Sequence, residues 1–165
     1  MDIYETKAKV DFEKARFKAF LNDITAFISD EKNELLPFEE FKKKISVTGT
    51  HYKGLTAVKV KNIIGSEGRY RDFDKKFLPL HDKTRQRWEN IDIAHYNEIS
   101  LPPVQLYKIG DYYFVKDGNH RVSVAKEQSI EFIDAEIIEY TTKFPLTEGS
   151  DLKSVIIKNE KAVFF

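Results

Sequence analysis

Cysteine is absent from this chain of 165 residues, which excludes disulfides, thiolate metal sites and cysteine nucleophiles together. Glycine and proline are scarce, at 7 and 5 residues, so neither a repeat array nor a linker protein is indicated. No apolar run approaches the ~18 residues that span a bilayer, and residues 1–20 lack the apolar centre of a signal peptide. The expectation is a cytoplasmic protein with no membrane partner. Tryptophan and methionine occur once each, but 13 Phe and 8 Tyr supply ample core material. A hydrophobic share of 41% with 33% charged residues is that of a globular domain, not a disordered one. At this length ~70% of the unfolded surface can be buried without staples.

Charge of one sign is also lacking overall, since 27 basic side chains balance 27 acidic ones. The balance is local as well at residues 1–50, with 9 basic and 10 acidic groups. Residues 51–90 differ, carrying 10 basic against 5 acidic side chains. A basic middle segment in a neutral chain points to a local anion site more than to a whole nucleic-acid face. The plain alternative is a solvated, charged helix.

Hydrophobic periodicity divides the chain. Phe17, Phe20, Leu21, Ile24 and Ile28 recur at helical spacing, with a stop expected near Asp30. Pro37 suits the first turn of a short second helix whose Phe38, Phe41 and Ile45 share a side. Both helices read as a cap packed on something else. From Thr56 the pattern alternates through Val58 and Val60 and runs on to Ile64, which predicts a half-buried strand. A charged, glycine-punctuated loop follows over 65–74, then a helix from Asp82 as N-cap through Trp88, Ile91 and His95. Lys83, Arg85 and Arg87 read as the solvated side of that helix. Strands are expected over 104–109, 112–116 and 132–140, with a hairpin turn at Gly110-Asp111 and a helix over 119–127. Leu152, Val155 and Ile156 fit a last helix from about Ser150. The expected organisation is a helical extension at 1–50, an α/β (α+β) domain at 51–140 and a tail at 141–165.

One stretch carries chemistry: Asp117-Gly118-Asn119-His120-Arg121, where a strand feeds directly into a helix. The first turn of a helix offers backbone N–H groups without internal partners, at the positive end of the dipole. Gly118 allows a tight turn and a close approach of an anion, and Arg121 would add a fork suited to phosphate. The pattern describes a phosphate cradle. It is also what a well-made turn with an N-cap looks like, and His120 could equally be a buried structural histidine. Arg69 and Arg71 lie two residues apart, so in extended backbone they point one way and could clamp a phosphate. Pairing with Glu67, Asp72 or Asp74 is the alternative.

The hairpin, the Asp-Gly-x-His-Arg turn and the following helix and strand resemble the ParB/sulfiredoxin superfamily. The strand from Val58 to Ile64 and the loop Gly68-Arg69-Tyr70-Arg71-Asp72 resemble its first conserved segment. The resemblance covers roughly residues 55–140 and implies a small mixed sheet with helices. It also implies that Gly118, Asn119, His120, Arg121 and Ser123, with Arg69 and Arg71, bind nucleotide phosphates. Sulfiredoxins place a reactive cysteine where Asn119 stands, so sulfinic acid reduction is not expected here. Chromosome-partitioning members carry arginines where His120 and Ser123 stand. Only 25 residues follow Tyr140, so their DNA-clamp domains are not expected either.

The motif is closest to that of the superfamily's free-serine kinases. That likeness implies Asp117 and His120 beside a transferring phosphoryl group, with a glutamate after the first strand. Glu67 is nearest in position and Asp72 is its rival. An acidic group beside an anion cradle makes sense as a base or a Mg²⁺ ligand, and Asp117 is the candidate for both. Three functions are therefore open. The first is a nucleotide-binding domain, with a nucleoside di- or triphosphate and Mg²⁺ as ligands and NTPase or small-molecule kinase activity. The second is a ParB-like DNA-binding protein or nuclease, which would need Asp117, Asp72, Asp74 and Glu67 to converge on metal. The third is a nucleotide-sensing regulatory module that meets a protein partner through residues 1–50.

Overall fold

The computed structural model describes residues 2–68 and 71–143. Arg69 and the helix expected from Ser150 lie outside the described residues. Four helices and six strands follow in the order α1 (Ile3–Ile28), β1 (Leu36–Pro37), α2 (Phe38–Lys43), β2 (Val47–Lys59), β3 (Ile63–Ser66), α3 (Arg85–Tyr96), β4 (Val104–Ile109), β5 (Tyr112–Asp117), α4 (Asn119–Glu127) and β6 (Phe132–Thr142). The α/β class expected from the sequence is the class observed.

All six strands form one mixed sheet in the order β1-β3-β5-β4-β6-β2. β3 and β5 run parallel as neighbours, β4 is antiparallel to β5, and β6 is parallel to β4. Period-two alternation sorts the core onto two faces. Val104, Leu106, Val115 and Ile137 point to one side, with Val122 of α4 packed over them. Tyr107, Ile109 and Phe114 point to the other and meet Phe38 and Phe41 of α2 and Ile45 just past it. The short second helix thus packs as its apolar spacing demands.

Three expectations need correction. The strand expected from Thr56 is β2 and begins at Val47, so it crosses the boundary drawn at residue 50. Its early residues are exposed and lack an alternating apolar signal, because pairing with β6 rather than burial holds them. A 3₁₀ turn at Val60–Asn62 then separates it from β3. Second, α3 starts at Arg85, with Thr84 in the N-cap position, while the Asp82 carboxylate accepts from Arg16 Nε at 3.1 Å.

The third correction concerns α1. It packs on α3 and α4, but through Ala8, Phe12, Ala15, Ala19 and Ala26 rather than through the larger residues. Alanines let the helix axes approach closely, and Phe12 meets the single tryptophan, Trp88, edge-on at 5.6 Å. Phe17, Phe20, Leu21, Ile24 and Ile28 are all exposed. Helix α1 therefore has two apolar faces, and the smaller residues won the contact with the domain.

An acid pair, Asp92 buried and Asp11 half-buried, fastens this contact. Gln128 Nε2, just past α4, donates to Asp92 Oδ1 at 2.7 Å and to Asp11 Oδ2 at 2.9 Å, and Tyr96 Oη donates to the same Asp11 oxygen. Burial and the neighbouring Asp11 push Asp92 up to about 8, while Asp11, bonded to Asp92, Tyr96 and Gln128 and facing Lys14, is held below its usual value. The pair keeps one proton on Asp92. An aspartate raised above its unfolded value of ~3.9 binds an extra proton in the folded state, so its contribution falls as pH rises from ~4 to 8. Glu127, also near Asp92, reinforces that direction. Asp92→Asn preserves the shape and removes the titration. Urea unfolding of the variant should show a flatter loss of stability between pH 5 and 8 than the parent, and equal slopes would contradict the shared proton.

Candidate functional site

The parallel strands β3 and β5 end side by side, and α4 starts directly from β5. Carboxyl ends of neighbouring strands are where open α/β sheets hold ligands. Gly118 makes the joint with φ of 115°, a conformation in which a side chain is strained. A Cβ there would also stand 2.6 Å from Val104 Cγ1. Only glycine lets β5 turn this tightly into α4 against the start of β4.

Asn119 locks the joint to the neighbouring strand. Its buried amide accepts from Ser66 Oγ at 2.8 Å and donates to Gly68 O at 3.0 Å. The side chain is thus used inside the protein, and what it leaves for a ligand is its backbone N–H. Gly118 O accepts from Val122 N at 3.0 Å, which closes the first turn of α4. The N–H groups of the residues between have no partner within the helix.

These residues line a cavity of about 470 Å³ whose walls also include Gly68, Lys116, Asp117, Arg121 and, from α3, Arg87 and Ile91. Arg121 is already engaged. Its Nη2 donates to Asp117 Oδ2 at 3.0 Å, and Nη1 donates to the carbonyls of Pro102 and Pro103. Of five guanidinium protons this leaves one on Nη2 and the one on Nε. Arg121 therefore pins the approach to β4 onto α4 and keeps only part of its fork for an anion. His120 is buried in the cavity wall, edge-on to Phe73 at 5.1 Å. Asp117 is exposed and accepts from Arg121, so a carboxylate and a cationic fork stand together at the rim.

The other expected residues lie elsewhere. Ser123 is buried, accepts from Trp88 Nε1 at 2.9 Å and donates to Phe77 O, because one turn further along α4 the same helix face meets the core. It does not line the cavity. Glu67 is exposed beside the cavity but not in its lining, and its carboxylate accepts from Tyr107 Oη at 2.6 Å. Burial, then Glu67, raise the Tyr107 phenol above its ordinary value. Asp72 faces Lys83 at 3.4 Å, and Arg71 is exposed; neither lines the cavity. Asp74 is buried and organises its own turn, accepting from the backbone N–H of Lys76 and of Leu78 at 2.8 and 3.0 Å. The loop after β3 thus reaches the cavity through Gly68.

Two cations were not singled out by the sequence. Arg87 reads as part of a solvated face, and in α3 it does stay exposed, but over the cavity. Lys116 is exposed at the end of β5, directly before Asp117. The excess of positive charge over 51–90 was the available signal for Arg87. Arg85, by contrast, is committed to Glu13 and Glu89 and packs over Phe12.

No family model, no curated protein and no solved structure matches the chain. Among the described residues no helix is long and apolar enough to cross a membrane. No group of three or more His, Asp or Glu able to hold a metal occurs among them either.

Gly118→Ala combines a positive φ with a clash, so it should destabilise the domain by ~1–3 kcal/mol in denaturant unfolding. Adding Val104→Ala should recover the steric part of that loss, and no recovery would contradict the packing described.

Proposed function

We propose that the chain is a nucleotide-binding domain of the ParB/sulfiredoxin kind, which holds the di- or triphosphate of a nucleotide at the turn from β5 into α4. One observation carries the reading. The start of α4, made accessible by Gly118, opens onto a cavity that also presents Lys116 and Arg87 and the remaining protons of Arg121. Backbone N–H groups of residues 119–121 and three cations are what a polyphosphate requires, and little covalent chemistry is then needed from the protein.

Asp117 gives the site a second capacity. A lone carboxylate in an anion cradle repels phosphate unless it works as a base or binds a cation. Mg²⁺ characteristically takes one or two carboxylates and completes its shell with phosphate oxygens and water. Asp117 fits that part, and Mg²⁺ would there neutralise phosphate charge. With Asp117 orienting an acceptor hydroxyl or a water, the site would serve phosphoryl transfer to a small molecule or hydrolysis. His120, buried against Phe73, shapes the wall beside it. Glu67 is held by Tyr107 and Asp72 faces Lys83, and neither is in the lining, so Asp117 is the carboxylate that the cavity presents. The nuclease reading has less support, since Asp72 and Asp74 are turned to Lys83 and to backbone amides.

Calorimetric titration with ATP, ADP, CTP and GTP in Mg²⁺ tests the proposal. Arg121→Ala would also release the Pro102-Pro103 segment, so the cleaner variants are the exposed Lys116→Ala and Arg87→Ala. Each should weaken the preferred nucleotide by ~1.5–3 kcal/mol, the range of a charge-assisted contact. Absence of binding by all four nucleotides, or unchanged affinity in both variants, would overturn it.

A further inference from the structure

We propose that a cavity at the far end of α4 is a second ligand site, which binds a small organic anion with an apolar body on Lys126 and Lys76. It shares no lining residue with the cavity at Gly118 and stands independently of the nucleotide reading. The cavity measures about 650 Å³, within the roughly 300–1,000 Å³ of small-molecule sites. Four separate parts of the chain each bring one lysine to it: Lys18 from α1, Lys61 from the 3₁₀ turn, Lys76 from the loop after β3 and Lys126 from α4. Val60, Leu78 and Ile130 give it an apolar wall.

Lys126 is the anomaly in this arrangement. It follows Val122, a core residue, by one helical turn, so α4 carries a charge where its apolar side would continue. Its Nζ lies 5.3 Å from the centre of the Phe77 ring, and among the described residues no carboxylate pairs with it. The ring offsets only part of the cost of a half-buried ammonium without a counter-ion, and an anion in the cavity would offset the rest. Burial alone pushes Lys126 down to about 8. Lys76 is exposed and likewise has no ion pair among the described residues. The acids of the cavity do not fill the place. Glu127 is committed to Lys18 at 2.5 Å, and Glu131 is exposed without pairing to either lysine among the described residues. The wall then selects the class of ligand, because a bare inorganic anion would leave Val60 and Leu78 facing water, whereas an apolar body covers them.

The test uses the full chain with ¹³C-labelled lysine, titrated with phenyl phosphate and separately with phenylacetate, which share an anionic head on an apolar body. At least one of them should shift the ε-methylene signals of Lys126 and Lys76 saturably, and whichever binds more tightly names the head. Inorganic phosphate alone should bind ~10-fold more weakly, and the signal of Lys116, in the other cavity, should not follow the same saturation curve. Lys126→Met keeps the unbranched stem, and Lys76→Ala lies at an exposed position; each should weaken the probe ~10-fold. A bound anion holds the proton on Lys126, so the midpoint of its titration should rise in the complex and affinity should fall as pH climbs above about 8. Lys18, Lys61, Lys76, Glu127 and Glu131 are the other charged groups of the lining, and all keep their charge between pH 7 and 9. No saturable shift of Lys126 with either probe would overturn the proposal. So would unchanged affinity in both variants, or a Lys126 midpoint that stays in place in the complex.

Discussion

The joint at Gly118 and Asn119 is the constraint on which the site depends. A strand can pass directly into a helix at this angle only through a residue that tolerates φ of 115° and leaves room for Val104. Once the turn is made, the Asn119 amide reaches across to Ser66 and Gly68 and fixes the separation of β3 from the start of α4. Gly68, just past β3, and the start of α4 then line the cavity together with Arg87 and Ile91 of α3. A buried amide bonded on both its oxygen and its nitrogen has one favourable orientation, so the geometry of the first turn of α4 is set by the neighbouring strand rather than by α4 alone.

Around this joint the cationic groups differ in how much they remain available. Arg121 is a structural pin first, spending three donors on Asp117, Pro102 and Pro103. Lys116 and Arg87 are exposed, with mobile heads that can settle on an anion. Positioning by a rigid turn and neutralisation by flexible cations from a different element is a workable division for phosphate. His120, buried in the cavity wall, packs edge-on against the buried Phe73.

Much of this was legible in the residues. The α4 span, the β4 span and the hairpin at Gly110-Asp111 follow from period and turn chemistry, and the Asp-Gly turn marked the start of α4. What could not be read has physical causes. Helix α1 has two apolar faces, and size alone suggested that the phenylalanines face inward; close packing on α3 and α4 instead favoured the alanines. Ser123 looked like a ligand group because it lies in the motif, but one helical turn carries it into the core under Trp88. Arg87 is distant from the motif in sequence, and only the packing of α3 beside α4 brings it to the cavity. The long β2 carries no alternating signal before Thr56 because its partner strand supplies the hydrogen bonds.

The central claim is that a polyphosphate sits on the start of α4. Amide ¹H–¹⁵N spectra of the isotopically labelled chain, titrated with ADP and separately with inorganic pyrophosphate, address it residue by residue. The account predicts that both ligands shift the amides of Asn119, His120 and Arg121 most strongly, with Gly68 and Lys116 following, and leave those of α2 and β2 in place. Shifts confined to surface lysines elsewhere, or no saturable shift at 119–121 with either ligand, would contradict it.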